Sequence, residues 1–101
     1  MNMNENFYVY EILVNEQRRY VGYTNNIKRR KKQHFKAISS DDKKTLYVAI
    51  RNLKNPQIDI NVIGVFEKSI EAKRWEAHLV LSDYFSDKKL WQSVPTTFKY
   101  F

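Results

Sequence analysis

The sequence predicts an α+β fold, with a three-stranded, mostly antiparallel sheet flanked by helices in the order ββααβα. The length of 101 residues suits one domain, and 43% hydrophobic residues, among them 15% aromatic ones, suffice for a core. Three segments rich in aromatic and β-branched residues indicate strands, and three others carry apolar residues at helical spacing. We expect a single domain over residues 1–101, with a core at about 7–85 and a tail at 86–101.

The first half of the chain predicts a hairpin followed by a helix. Residues 7–14 are rich in side chains that favour strands, and residues 19–23 resume this character after a polar break. The break is short enough for an antiparallel hairpin. Asn25 and Asn26 are suitable N-caps for a helix over about 27–38.

The second half predicts a helix, a strand and a longer helix. Apolar residues at helical spacing indicate a helix over 43–53 that stops before Pro56. Alternating apolar residues indicate a strand over about 57–66, and Ser69 is a suitable cap for a helix that runs to about residue 84. In the tail, apolar side chains favour packing against the domain: Leu90, Trp91, Val94, Phe98, Tyr100 and Phe101.

Composition excludes several classes of site. The chain has no cysteine, which removes disulfides, thiolate metal sites and cysteine nucleophiles. Two histidines make a structural zinc site improbable, and two glycines cannot form a glycine-rich phosphate loop. No apolar run reaches the length of a membrane span, and the polar start lacks a signal-peptide pattern. We therefore expect a soluble, cytoplasmic protein.

The positive charge is concentrated in one segment. The formal net charge is +7, from 18 basic and 11 acidic residues. The segment 17–40 holds eight of the basic residues and no acidic one, so the rest of the chain is close to neutral. This distribution predicts a localised surface that binds a polyanion. The eight are Arg18, Arg19, Lys28, Arg29, Arg30, Lys31, Lys32 and Lys36.

Two polar residues of the first helix lie on the stripe that should face the sheet. At 100° per residue, Arg30 and His34 share a side with Ile27 and Ile38, whereas most other basic residues project away from it. A solvated face explains the basic residues that project away. A guanidinium on the buried side instead requires an acidic partner or an anionic ligand.

The last helix has the opposite anomaly. Glu76 falls within a stripe that contains Ala72, Trp75, Leu79 and Val80. Wheel geometry leaves two interpretations open: Glu76 pairs with Arg30 in a buried structural ion pair, or it is a metal-binding carboxylate beside a phosphate-binding arginine. Trp75 is predicted to lie in the core. For Trp91 a core position is favoured over a base-stacking platform, and His78 is assigned to the surface.

The motifs on these elements resemble those of the GIY-YIG nuclease family. Residues 8–12 (YVYEI) correspond to its opening Gly-Ile-Tyr-x-Ile, and residues 20–22 (YVG) correspond to its Tyr-Ile-Gly. Arg30 followed by His34 resembles the helix in which an arginine precedes a histidine or tyrosine by four residues. Ala72 and Glu76 match the Ala-x-x-x-Glu of a later helix. The resemblance covers residues 7–80 in four ordered elements.

The resemblance implies a divalent-metal-dependent endonuclease that hydrolyses DNA to a 5′-phosphate and a 3′-hydroxyl. Its catalytic residues would be Tyr10, Tyr20, Arg30, His34 and Glu76. Glu76 would hold a single Mg²⁺ or Mn²⁺, and Arg30 would stabilise negative charge on the phosphate.

The choice of general base stays open between two residues. The resemblance favours Tyr10, with Tyr20 and His34 orienting water or assisting proton transfer. A phenol with a pKa near 10 must lose about three pKa units to act freely at pH 7, which corresponds to about 4 kcal/mol. His34 needs no such shift, so it is the simpler base on pKa grounds alone.

The sequence departs from the family at three points. Tyr8 replaces the first glycine of the opening motif, and Lys31 follows the arginine where an apolar residue is usual. The family often has a phosphate-binding asparagine near its C-terminal end, whereas no asparagine occurs here after Asn61. That role is vacant or falls to Gln92 or Ser93.

DNA is the partner that this resemblance and the basic segment predict, and no membrane is expected. The nucleic-acid contacts are assigned to exposed basic residues and to the turn before the first helix, where turn formation explains Asn25 equally well. A homodimer or an accessory DNA-targeting protein would extend recognition. The assigned residues are Arg18, Arg19, Tyr23, Thr24, Asn25, Lys28, Arg29, Lys32 and Lys36.

Two alternatives to the nuclease remain. A catalytically weak or inactive nucleic-acid-binding module with the same fold would explain the missing asparagine. A basic protein that binds an acidic partner or a membrane surface is less favoured, since the basic helix offers only Ile27, Phe35 and Ile38 as apolar anchors.

Overall fold

The fold is built on a three-stranded sheet with helices on both faces, in the predicted order ββααβα. The computed structural model of the chain describes residues 5–92. The central strand β1 pairs antiparallel with β2 on one side and with β3 on the other. The fold class is therefore confirmed. The elements are β1 (Phe7–Val14), β2 (Gln17–Thr24), α1 (Ile27–Ile38), α2 (Thr45–Arg51), β3 (Ile58–Phe66) and α3 (Ser69–Phe85).

The β1–β2 hairpin is tighter than predicted. The turn contains only Asn15 and Glu16, both with positive φ angles, of 51° and 68°. A two-residue turn of this kind matches the twist of the flanking strands. Strand β2 therefore begins at Gln17 rather than at residue 19, and it includes Gln17 and Arg18, which were predicted to lie in the polar break.

Helices cover the sheet on two faces that hold different side chains. Tyr10, Ile12 and Val14 point to the side of α1 and α2, which we call the α1/α2 face. Val9 and Val21 point to the other side, the α3 face, where Ala72 and Val80 of α3 pack on them. Neighbouring residues of one strand project to opposite faces, which explains this division. Tyr10 and Val9 are both completely buried.

An irregularity in β3 divides its apolar residues between the two faces. The register with β1 shifts between Val9, which pairs with Gly64, and Tyr10, which pairs with Val62. Ile58 and Ile60 therefore pack on the α1/α2 face, whereas the residues beyond the shift pack on the α3 face. The simple alternation predicted for this strand fails at Val62, which is 42% exposed.

The helices differ from prediction mainly at their ends. Asn26 caps α1 as predicted, accepting a hydrogen bond from the backbone N–H of Arg29 at 3.0 Å. Helix α2 is shorter at both ends than the predicted 43–53. Ser69 is not the cap of α3 but its first residue; the cap position belongs to Lys68, whose side chain makes no capping hydrogen bond. Within residues 5–92, no helix combines the length and the apolar character needed to cross a membrane.

The segment after α3 lies along the outer edge of β2. The Trp91 N–H donates to the Arg19 carbonyl at 2.7 Å. The Gln92 side chain then pairs with Val21, accepting from its N–H at 2.6 Å and donating to its carbonyl at 2.9 Å. Leu90 and Trp91 also pack against the core, as predicted. The remaining tail residues predicted to pack lie outside the described range: Val94, Phe98, Tyr100 and Phe101.

Candidate active site

A hydrogen-bonded chain of side chains on the α1/α2 face contains three of the predicted site residues. Tyr10 Oη lies 2.7 Å from His34 Nε2, and Arg30 Nε donates to the same hydroxyl at 3.2 Å. Tyr10 comes from β1, and the other two come from one side of α1, four residues apart. The predicted orientation of Arg30 and His34 towards the sheet is therefore observed.

Tyr20 joins this group through its ring. Its ring centroid lies 6.1 Å from that of Tyr10 and 5.4 Å from that of His34. The close approach requires a glycine at the neighbouring position of β2. A Cβ on Gly22 would lie 2.6 Å from Tyr10 Oη and 2.9 Å from Tyr20 Cε1, so any side chain there would displace both tyrosines. The glycine of the Tyr-Val-Gly motif therefore has a packing role at this site.

Tyr47 of α2 completes the chain, although the sequence analysis did not identify it. Its hydroxyl lies 2.9 Å from His34 Nδ1, so both ring nitrogens of His34 have partners. His34 and Tyr47 are both buried. Tyr47 lies three residues before Ile50, on the side of α2 that packs inwards, and this helical spacing was the available clue. The clue shows burial but gives no partner for the hydroxyl.

Burial sets the protonation of this group in the free protein. Desolvation raises the pKa of the Tyr10 hydroxyl well above its ordinary value, so Tyr10 is a neutral phenol at pH 7. Desolvation, with the nearby charges of Arg30 and Lys44, lowers the pKa of His34 to about 4. His34 is therefore neutral at pH 7 and can accept a proton from Tyr10 at one nitrogen.

A pocket of about 370 Å³ opens beside this group. Tyr20, Arg30 and Tyr47 line it, whereas Tyr10 is completely buried and reaches the pocket wall only through its hydrogen bond with Arg30. A ligand in the pocket would therefore meet Tyr20 and Arg30 first. Tyr10 and His34 lie in a second layer that supports them.

The structure does not bring Glu76 into contact with these residues. Glu76 lies on α3, between Ala72 and Val80 on the helix side that packs on the α3 face. Within residues 5–92, Arg30 and Glu76 form no ion pair, so the predicted structural pair between them is wrong. Burial raises the pKa of the Glu76 carboxyl to about 7, against an opposing effect of the Lys73 charge. No cluster of three or more potential metal-ligating His, Cys, Asp or Glu side chains occurs in the described part of the chain.

The predicted basic surface on α1 is exposed, but Arg18 does not belong to it. Arg18 makes a two-point ion pair with Asp83 of α3, with Nε and Nη2 each 2.8 Å from a carboxylate oxygen, and it also contacts Glu11. Its guanidinium therefore links β2 to α3 and is not available to a phosphate. The exposed members of the predicted surface are Asn25, Lys28, Arg29, Lys32 and Lys36.

Arg19 is also held within the fold. It donates to the Lys89 carbonyl at 2.8 Å and its guanidinium lies 4.7 Å from the centroid of the Trp91 ring. Trp91 packs against the core of the α1/α2 face, as the core interpretation predicted, so neither residue is a free nucleic-acid contact. The Gln92 carboxamide, considered as a replacement for the missing asparagine, is paired with Val21. Ser93, the other candidate, lies outside the described residues.

The three turn residues before α1 that were assigned to nucleic-acid contacts also differ in their exposure. Thr24 is buried, and its hydroxyl accepts from the Asn26 N–H at 3.1 Å, so it forms the turn and is withdrawn from solvent. Tyr23 is half-buried and packs on the α3 face. Asn25 is exposed, although its side chain is hydrogen-bonded to Glu5 and Arg29. Tyr23 and Thr24 therefore have packing and turn-forming roles, and their assignment as nucleic-acid contacts stays a prediction.

Trp75 and His78 of α3 are in contact with each other. Trp75 is 38% exposed and stacks on His78, with the ring centroids 5.4 Å apart. The predicted core position of Trp75 is wrong, because its side chain is exposed, although its ring still approaches the sheet at Gly64. The surface position of His78 is confirmed.

Comparison with known proteins gives the same family as the motifs. The family model described as the GIY-YIG catalytic domain matches residues 6–83, which is most of the chain. Neither the curated proteins nor the solved structures contain a match. The matched range includes the first five elements in full and α3 up to residue 83, and it contains Tyr10, Tyr20, Arg30, His34, Tyr47 and Glu76. The chain therefore belongs to the GIY-YIG catalytic domain family, and this membership implies a nuclease that acts on nucleic acid.

Proposed function

We propose that the protein is a divalent-metal-dependent endonuclease that hydrolyses DNA phosphodiester bonds, leaving a 5′-phosphate and a 3′-hydroxyl. The observation that carries the proposal is the group of Tyr10, Arg30 and His34, hydrogen-bonded to one another beside an open pocket. Family membership supports nuclease chemistry, and the exposed basic residues of α1 support a nucleic-acid substrate.

Arg30 is the residue that would bind the reacting phosphate. Its Nε donates to Tyr10, while its Nη1 donates to the exposed side chain of Gln33 at 3.1 Å. In the described part of the chain it has no carboxylate partner. A guanidinium placed in this way can exchange Gln33 for phosphate oxygens and stabilise the negative charge that develops on them.

Tyr10 and His34 would act together as the proton acceptor. Arg30 Nε can only donate, so Tyr10 Oη accepts from it, and the phenolic proton is free to point at His34 Nε2. As an attacking water gives its proton to Tyr10 Oη, the phenolic proton passes to His34 Nε2. No free phenolate forms, so the remaining obstacle is the low pKa of His34, about 4, which a phosphate bound to Arg30 would raise because it offsets the Arg30 charge.

Access to Tyr10 depends on Arg30. Tyr10 is completely buried, and Arg30 lies between its hydroxyl and the pocket. When Arg30 turns towards a phosphate, it would uncover the oxygen of Tyr10, while the hydrogen bond to His34 Nε2 would still direct the phenolic proton. Tyr20, which already lines the pocket, would orient the water.

Glu76 fits the role of a ligand for one Mg²⁺ or Mn²⁺. It is a half-buried carboxylate whose pKa is raised to about 7 because burial is not compensated by a paired cation. A hard divalent ion prefers such an oxygen ligand and would supply the missing positive charge. When bound, the ion would lower the pKa of water and polarise the phosphate.

The test is cleavage of supercoiled and branched DNA by purified protein in Mg²⁺ or Mn²⁺. We expect nicking by the wild type, and a loss of at least about 10²-fold in Arg30→Ala and in Glu76→Ala. Lys31→Ala removes one positive charge from an exposed neighbour of Arg30 and serves as the matched control. Undiminished nicking by Glu76→Ala would overturn the role of Glu76.

A second measurement separates metal binding from catalysis. Mn²⁺ should raise the melting temperature of the wild type at pH 8, where Glu76 is ionised, and should leave that of Glu76→Gln unchanged. DNA binding that depends on salt but occurs without turnover in any metal would replace the nuclease with a non-catalytic binding module. A homodimer or an accessory DNA-reading protein would extend the contact with DNA, and sedimentation with and without DNA tests for the dimer.

A further inference from the structure

The pocket beside Arg30 has a second wall that carries positive charge. Tyr20 and Arg30 form one side, and Lys43 and Lys44, from the loop between α1 and α2, line the other. Neither lysine belongs to the four sequence motifs that resemble the family, and no role was predicted for them. Their position beside the candidate site therefore requires its own explanation.

The charge in this pocket is of one sign. Arg30 and the two lysines line it, and none of its other lining residues among residues 5–92 is a carboxylate. The Lys44 ammonium is close enough to His34 to help lower the pKa of the imidazole, so its charge is felt inside the site. Three positive side chains around one pocket attract an anion with more than one negative group.

The loop that carries the lysines is held in place by Arg51. The guanidinium of Arg51 donates to the carbonyls of Ala37, Ser40 and Asp42, with distances of 3.1 Å to Ala37 and 2.7 Å to Ser40. The Asp42 carboxylate accepts from the Lys44 N–H at 2.9 Å. A loop that is fixed in this way places its lysines beside the pocket before any ligand binds, which lowers the entropy cost of binding.

We propose that Lys43 and Lys44 form a second phosphate-binding subsite, which holds a phosphodiester next to the one bound by Arg30. The nucleic-acid strand then passes between β2 and the α1–α2 loop, with Tyr20 and Tyr47 between the two subsites. Lysine suits this task because its flexible stem follows the backbone without reading the base. The inference rests on the proposed nuclease function, which it extends to the substrate's neighbouring nucleotide.

The test compares two double variants with the same net charge. Lys43→Gln/Lys44→Gln removes the subsite, and Lys54→Gln/Lys68→Gln removes two exposed lysines that do not line the pocket. Binding of fluorescein-labelled single-stranded and duplex oligonucleotides is measured by anisotropy in EDTA over a range of KCl concentrations. We expect about tenfold weaker binding for the subsite variant than for the control, and a log–log salt slope smaller in magnitude by about 1 to 2.

Cleavage kinetics of the same proteins provide the second readout. The subsite variant should raise KM by about tenfold with kcat little changed, because the neighbouring phosphate is held equally before and during the reaction. If the wild type binds and cleaves but the two double variants behave alike, the subsite is wrong and the nuclease proposal stands. If the wild type neither binds nor cleaves DNA, the proposed function itself fails. Equal melting temperatures of both double variants confirm that neither result comes from unfolding.

Discussion

The two faces of the sheet differ in whether their buried polar side chains have partners. On the α1/α2 face, Tyr10, His34 and Tyr47 satisfy one another in a continuous hydrogen-bonded chain that ends at Arg30. On the α3 face, Glu76 is half-buried without an ion-pair partner among residues 5–92. The hydrogen-bonded group on the α1/α2 face is therefore held in place by contacts within the fold. Glu76 on the α3 face instead depends on a cation from solution to balance its charge.

The strongest test of the organised side is removal of the Tyr10 hydroxyl. Tyr10→Phe should lower kcat for DNA cleavage by about 10³-fold, because it removes the group that receives the water's proton. His34→Ala should have a similar effect, and the double variant should be no worse than the more damaged single variant, since both residues act in one proton transfer. Tyr84→Phe, at a position 61% exposed on α3, is the control. A loss of less than about tenfold in Tyr10→Phe would make Tyr10 a structural residue.

The ion pair that joins the sheet to α3 can be broken at Arg18. Arg18→Ala leaves the carboxylate of Asp83, which is only 2% exposed, without its partner. We expect a loss of about 3 kcal/mol in the free energy of unfolding, measured by urea denaturation. Lys32→Ala, on the exposed basic surface, should change stability by less than about 0.5 kcal/mol.

The same two variants should behave in the reverse order in DNA binding. Lys32→Ala should reduce the magnitude of the log–log salt slope by about 1, and Arg18→Ala should leave it unchanged. A reduced slope in a folded Arg18→Ala protein would restore Arg18 to the nucleic-acid surface.

The two glycines offer one matched substitution on each face. In Gly22→Ala the new methyl would lie 2.6 Å from Tyr10 Oη, and we expect about 10²-fold slower cleavage because the catalytic hydroxyl is displaced. In Gly64→Ala the methyl meets the Trp75 ring at 3.1 Å and Phe66 at 2.9 Å. Trp75 is partly exposed and can move, so kcat should change by less than about threefold. Equal losses in both variants would mean that general destabilisation is the cause.

Substitution of Tyr47, at the end of the hydrogen-bonded chain away from Arg30, should have a smaller effect on the cleavage rate. Tyr47→Phe removes one hydrogen bond to His34 Nδ1, and we expect about tenfold slower cleavage, which corresponds to about 1.4 kcal/mol. Nitrogen NMR of His34 provides a second readout, because the loss of the Tyr47 hydroxyl should redistribute the proton between the two ring nitrogens. An unchanged spectrum would contradict a positioning role.

The smallest effect concerns the dependence of stability on pH. The folded pKa of Glu76, about 7, lies above its ordinary value of 4.5, so its contribution to stability is complete below pH 4.5 and is lost as the pH rises through 7. The folded pKa of His34, about 4, lies below 6.5, so its contribution is complete above pH 6.5 and is lost as the pH falls towards 4. Between pH 4.5 and 6.5 the two slopes oppose each other.

Glu76→Gln should reveal the effect of His34 alone. We expect the free energy of unfolding of this variant to fall by about 2 kcal/mol between pH 6.5 and 4.5, while that of the wild type changes little. Chemical denaturation at several pH values measures both. Parallel curves for the two proteins would show that Glu76 titrates near its ordinary pKa.

Local patterns predicted the residues whose roles depend on their own element. Asn26 caps α1 because a cap is set by the next three residues, and Arg30 and His34 face the sheet because helical periodicity requires it. The hairpin and the order of elements followed from strand propensity and from the positions of polar breaks. These features need no knowledge of a distant partner.

Residues with distant partners were the ones that sequence patterns misassigned. Arg18 and Lys32 are equally basic in sequence, and only the fold shows that Asp83, 65 residues away, pairs with Arg18. The partner of Tyr47 was missed for the same reason. Trp75 has the spacing of a core residue, yet it is exposed and stacks on His78. A helical wheel gives the direction in which a side chain projects from the helix axis, but it does not show which residues of the fold the side chain meets there.

The hydrogen bonds that Trp91 and Gln92 make with β2 determine where the folded unit ends. The family match ends at residue 83, but the outer backbone groups of Val21 are paired by Gln92, and Trp91 pairs with the Arg19 carbonyl. A chain cut at the end of α3 would present β2 as an open template to which another strand could bind. The boundary of a stable expression product therefore lies at or beyond residue 92, and it is set by two hydrogen bonds of one glutamine side chain rather than by the family pattern.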